Sequence, residues 1–200
     1  TVSRDGDILV HALASEAERL RDEELPGVEV VGVPWTSKRP DPSRLPALLD
    51  SLEPTNALRV LVAHGGTDEV YGGHSPSVEA IPVALLEEAV GSRRLDYVAL
   101  GDRHSVTRVG SGQRVWFSGS PETTDFDDRE KDSGHALLVE LERARPGGER
   151  GGSTVTPLRT GRWLFLAINA QIDTDEDLDA LVSRVEAIEE AAVARNPATH

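Results

Sequence analysis

DYVALGDRHS, residues 96–105, runs an apolar β-type segment directly into a glycine, an aspartate and a histidine. A strand that ends at glycine lets the backbone turn sharply at its C-terminal edge, which is where open α/β sheets collect their ligands. Asp102 and His104, two residues apart on that turn, can face a common point. The same shape occurs upstream, where Arg59-Val-Leu-Val-Ala63 leads into His64-Gly65-Gly66. If the two strands are neighbours and parallel, His64, Asp102 and His104 converge on one rim; otherwise they belong to two unrelated turns.

Around these segments, strand-like and helix-like stretches alternate, which predicts an α/β or layered α+β body. Strands are expected over Asp7–Leu13, Val28–Val33, Leu58–Ala63, Leu95–Leu100, Arg114–Ser118 and His135–Leu141. Ser43–Leu52 carries Leu45, Leu48, Leu49 and Leu52 at helical spacing, and Pro82–Val90 opens on proline and ends before Gly91. The charged segment Ser15–Glu24 is helix-prone. Arg143–Ser153, RARPGGERGGS, breaks every periodicity and reads as a flexible loop or an inter-domain linker. Beyond it, Val155–Thr160 and Trp163–Ile172 suggest a hairpin joined at Gly161. Asp175–Val193 then predicts an acidic amphipathic helix, with Leu178, Leu181, Val182, Val185 and Ile188 as its buried stripe.

Composition limits the chemistry. Two hundred residues with 38% hydrophobic side chains suffice for a real core, and no run approaches a membrane span of about 20 apolar residues. There is no cysteine, so any metal must be held by His, Asp, Glu, Asn or backbone oxygen. This suits a cytoplasmic protein. A net charge of -14 argues against a broad electrostatic nucleic-acid surface, but not against a nuclease whose divalent cations carry the contact with phosphate. A chain that opens Thr1-Val2-Ser3 and contains no methionine reads as cut from something longer.

The segments LRVLVAHGG (58–66), LDYVALGDRHS (95–105), VWFSGSPETTDF (115–126) and GHALLVELE (134–142) together resemble the C-terminal half of a calcineurin-like metallophosphoesterase, in the DNA-repair exonuclease branch of the SbcD type. The resemblance spans about Val28 to Leu141. It implies a partial metallophosphoesterase β-sandwich flanked by helices over residues 1–145, a linker at 146–153, and over 154–200 the hairpin and helix that open a small capping module.

It further implies a hydrolase, an exonuclease of DNA repair, working with two divalent metal ions, Mn²⁺ foremost and Mg²⁺ or Fe²⁺ as alternatives. DNA and an SMC-like ATPase subunit are the implied partners, with a homodimer left open and no membrane association. His64 matches a histidine that binds the second metal, and His104 matches the last histidine of a Gly-His-x-His motif that serves the first.

Asp102 stands where that motif has its first histidine. It is a substituted hard-oxygen ligand, a group behind the ligands, or the mark of a weakened site. Arg103, Ser105, Ser118 and Ser120 are expected at the substrate rim, although a solvent-facing role suits Arg103 and Ser105 equally. The family's Asp-x-His, Gly-Asp-x-x-Asp and Gly-Asn-His motifs have no counterpart before Val28, so the residues given should not catalyse alone.

Two other readings remain: a phosphodiesterase for small esters, and an interaction module with a degenerate metal site. His11 reads as structural and His74 as a surface residue. Asp125–Asp132 lacks the spacing of a Ca²⁺-binding loop and reads as solvated. Trp35, Trp116 and Trp163 read as core or domain-contact residues.

Overall fold

Alternation along the strands decides which side chains meet the helices. In the computed structural model, which describes residues 2–5, 8–11, 18–21, 26–34, 41–71, 80–126, 133–143, 151–163 and 165–195, strands β1 (Val2–Asp5) and β2 (Ile8–His11) form a separate antiparallel pair. The main sheet holds β3 (Glu18–Arg21), β4 (Val28–Val33), β5 (Leu58–His64), β6 (Tyr97–Gly101), β7 (Thr107–Arg108) and β8 (Val115–Phe117). Its order is β3-β4-β5-β6-β8-β7, with β4, β5, β6 and β8 parallel to one another and the two outermost strands antiparallel. The chain is a mixed α/β fold.

Register aligns the core in rows. Val31, Leu61, Val98 and Val115 are successive partners across the four parallel strands, as are Val33, Ala63, Leu100 and Phe117. These rows pack against α1 (Arg44–Asp50) and α3 (Val83–Gly91) through Leu45, Leu48, Leu49, Val83, Leu86 and Ala89. Both helices therefore cover one face. Crossovers that always step in the same direction along a parallel sheet, each right-handed, put their helices on the same side. The opposite face carries Val62, Ala99, Trp116 and His64 and is less covered, with Val62 at 39% exposure.

Between β5 and α3, the short α2 (Asp68–Tyr71) supplies Asp68, whose carboxylate accepts the Val83 N–H at the start of α3. At the opposite end of the sheet, Glu29 and Arg59 are register partners and form a buried ion pair. The Arg59 guanidinium also donates to the carbonyls of Glu53 and Arg94, at 2.9 Å each. That network ties the sheet's N-terminal edge to the two helix-bearing connections.

Several sequence expectations change. Ser15–Glu24 contains strand β3 in place of a helix, because the edge of β4 offers a row of unpaired backbone groups and tertiary pairing outweighs a weak local propensity. Strand β9 (His135–Leu141) pairs along its whole length with β10 (Ser153–Arg159), so the glycine- and arginine-rich stretch joins two strands of one hairpin. No strand occupies 163 or 165–172, and the hairpin expected at Gly161 is replaced by this earlier one. Within the expected sandwich, the second large sheet is not among the described residues.

Helix α4 (Asp175–Arg195) forms where the acidic pattern placed it, with Asp175, Glu176 and Asp177 in its first turn, where the helix dipole favours anions. Its stripe is not buried: Leu178 and Val182 are nearly half exposed, and Val185 is exposed as well. Trp163 is also exposed, which excludes the core alternative of its core-or-domain-contact reading, whereas Trp116 is half-buried and donates to the Gln113 carbonyl. Trp35, His74 and residues 127–132 lie outside the described residues. No described helix is long and apolar enough to cross a membrane.

Candidate functional site

The strands β5 and β6 are adjacent and parallel, and their last residues, His64 and Gly101, are register partners. The Gly65 N–H donates to the Gly101 carbonyl at 3.1 Å and closes this edge. Both residues follow the parity of Val62 and Ala99, so they face the side of the sheet that the helices leave open. A Cβ built on Gly101 would stand 2.8 Å from His64 Nδ1. Glycine at this position is what makes room for the imidazole.

Asp102 follows with φ at 108°, a conformation that L side chains rarely adopt. Such strain concentrates where surrounding structure dictates a side chain's direction. Here it brings Asp102 Oδ1 to 3.6 Å from His64 Nε2, with the imidazole half exposed and the carboxylate about one-third exposed. The structure thus joins two of the three expected ligands. An imidazole nitrogen and a carboxylate oxygen at this separation suit one hard or borderline divalent cation.

His104 is placed differently. Its Nδ1 is 3.0 Å from the Thr124 hydroxyl, and its carbonyl accepts the Ser120 N–H at 2.9 Å. Among the described residues, no three His, Asp or Glu side chains stand close enough to share a metal ion. His64 and Asp102 offer two donors of suitable chemistry, and among the described residues no third His, Asp or Glu joins them.

Beside the pair lies an open cleft of about 380 Å³ at the C-terminal ends of the strands, bounded by Val33, Val62, His64, Ala99, Gly101 and Ser118. Ser118 lines this cleft. Ser120 is not part of the cleft wall: its hydroxyl donates to the Glu122 carbonyl at 2.6 Å. Arg103 is half-buried and donates to the Thr107 hydroxyl at 2.6 Å, and Ser105 is buried at 4% exposure. These contacts turn Arg103 and Ser105 toward the protein. His11 lies in β2, opposite Val2.

Thr124, twenty residues from the imidazole it contacts, was not singled out in the sequence, although it lies with Glu122 inside the segment VWFSGSPETTDF. A weak signal did exist in Ser118-Gly-Ser-Pro121. Gly119 has φ at 76°, and a Cβ there would meet the His104 carbonyl at 2.8 Å, so this loop packs backbone to backbone against the histidine's own turn.

No protein-family model matches the chain, and no curated protein matches it either.

Proposed function

We propose that this chain contributes part of the metal site of a phosphodiester hydrolase, with DNA as the substrate. The single observation that carries the reading is the pairing of β5 with β6, which sets His64 and Asp102 3.6 Å apart at the C-terminal edge of a parallel sheet. Ligand sites of open α/β sheets collect at that edge. The resemblance of residues 58–66, 95–105 and 115–126 to the metallophosphoesterase motifs supplies the reaction class.

In this reading His64 and Asp102 bind a divalent cation, Mn²⁺ foremost, through imidazole nitrogen and carboxylate oxygen. His104 serves the other cation, the first of the two, through its Nε2. Divalent ions held there would supply Lewis-acid polarisation of a phosphate oxygen and would lower the pKa of water. Ser118 donates to the substrate's phosphate at the mouth of the cleft. The apolar floor formed by Val62 and Ala99 keeps water from one side of it.

A small phosphate ester is the second reading, favoured by the net charge of -14 and by only 21 Lys and Arg against 35 Asp and Glu. Long phosphate backbones are ordinarily met by clustered cations. The two readings separate when the full-length protein, with Mn²⁺ added, is given linear duplex DNA and, in parallel, bis(p-nitrophenyl) phosphate. Degradation of the duplex that His64→Ala abolishes supports the nuclease. Turnover of the small ester alone sinks it, and turnover of neither, with no Mn²⁺ bound, sinks the hydrolase.

A further inference from the structure

The loop from Ser118 to Thr124 touches the candidate site on one side and the entry to the C-terminal segment on the other. Toward the site, Thr124 contacts the His104 ring, Ser120 binds the His104 carbonyl, and Gly119 packs on that same carbonyl. Toward the C-terminal segment, the Glu122 carboxylate accepts the Arg162 N–H at 2.8 and 3.0 Å and the Trp163 N–H at 3.3 Å.

Other bonds fix the same junction. Thr160 donates through its hydroxyl to the Pro121 carbonyl at 2.8 Å, and Thr123 donates to the Trp163 carbonyl at 3.1 Å. The Gly161 N–H donates to the Gly134 carbonyl, and a Cβ on Gly161 would meet Gly134 Cα at 2.6 Å, so the two backbones are in contact. At this junction the Glu122 carboxylate holds two successive N–H groups, those of Arg162 and Trp163. Hydrogen bonds to a charged acceptor are about twice as strong as neutral ones, and this carboxylate lies two residues from Thr124.

We propose that Glu122 is a positioning residue for His104: by clamping the backbone of Arg162 and Trp163, it fixes the loop from which Thr124 orients the imidazole. Free of that clamp, the loop keeps the Thr160 and Thr123 bonds but loses its charged anchor on the hairpin side, and Thr124 holds its geometry against Nδ1 less tightly. Groups that orient a metal-binding histidine typically change metal affinity about 10- to 100-fold when removed. That consequence rests on the proposed role of His104 as a ligand, whereas the orientation of the ring does not.

The test uses metal-free full-length protein and the long-range ¹H–¹⁵N correlations of the His104 ring, which report how its proton is shared between the two nitrogens. Glu122→Ala and Thr124→Val should both move the His104 nitrogen shifts toward the average of the two tautomers, with the His64 signals unmoved. Glu122→Gln, which keeps one acceptor oxygen, should restore most of the original pattern.

If Thr124→Val moves the ring signals and Glu122→Ala does not, or if neither does, the proposal fails. Should Glu122→Ala not fold, Thr160→Val cuts the neighbouring bond to Pro121 and should move the same signals partway; no movement overturns the proposal. Titration with Mn²⁺ follows on the same samples. About 10-fold weaker binding in Glu122→Ala is expected, whereas ring shifts in a wild-type protein that binds no Mn²⁺ defeat the metal reading and leave the role of Glu122 standing.

Discussion

His64 and Gly101 are register partners on adjacent parallel strands, and the imidazole occupies the space that any side chain at residue 101 would need, with 2.8 Å between Nδ1 and the position of a Cβ. The imidazole is the far end of a half-exposed side chain, so it can move aside cheaply. Gly101→Ala should therefore lower stability by less than about 1 kcal/mol, below the usual cost of overpacking a closed core. It should weaken Mn²⁺ binding about 10-fold or more. Urea denaturation and calorimetric titration of the same samples check the contrast, and equal losses in both would show that the glycine serves folding alone.

On the proposed reading, Asp102 sets stability against metal binding. Its φ of 108° costs about 1–3 kcal/mol in a residue with a Cβ, and glycine adopts that conformation freely. Asp102→Gly should raise the urea midpoint while removing the oxygen that lies 3.6 Å from His64. Asp102→Asn keeps the strain and removes the charge, so it should lose metal binding without gaining stability. A destabilised Asp102→Gly variant would contradict the strain argument.

The buried pair at the other end of the sheet predicts a large loss. Arg59 and Glu29 are only 3% and 1% exposed, and Arg59→Met leaves the Glu29 carboxylate in the interior without its guanidinium. Breaking such a pair costs about 3–5 kcal/mol, whereas replacing both partners by apolar residues is often nearly neutral. Equilibrium unfolding of Arg59→Met and of Glu29→Leu/Arg59→Met measures both. The double variant should recover most of what the single one loses.

Acid should loosen one turn before the core. The Glu87 carboxylate accepts from the Ser111 hydroxyl and N–H, at 2.7 and 2.6 Å, and these bonds hold its pKa below the ordinary 4.5. A carboxylate whose folded-state pKa is depressed contributes stability that is fully present above its unfolded value and is lost as pH falls through the folded one. Amide exchange at Ser111 and Gly112, followed from pH 6 downward, should accelerate below about 4.5, after allowance for the intrinsic pH dependence of exchange. Glu87→Gln should remove that inflection.

Much of the main sheet was legible because its strands are apolar runs of the right length bounded by turn residues. Val28–Val33 forms over the residues expected, β5 and β6 end within one residue of expectation, and outside that sheet His135–Leu141 also forms as expected. β3 was not legible, since the charged segment around it carries a helical bias and becomes a strand only by pairing with β4. The partner of β10 was equally hidden: Val155–Thr160 read as a strand, but nothing local distinguishes pairing backward to β9 from pairing forward. The exposed stripe of α4 shows the same limit, because periodicity says which face is apolar and not whether anything covers it.

At the site, the amino-acid sequence by itself determined the residue types and the strand-to-glycine turns that carry His64, Asp102 and His104. Local chemistry suffices for that, because an apolar β run followed by glycine specifies a strand and its end. Only the tertiary structure decided which of these residues meet. Parallel pairing of β5 with β6 depends on long-range register, and it brings His64 to Asp102; packing of the Ser118–Thr124 loop then turns the His104 ring to Thr124. Contacts between residues 20 to 40 positions apart depend on how separate elements pack, and no periodicity within a single element records them.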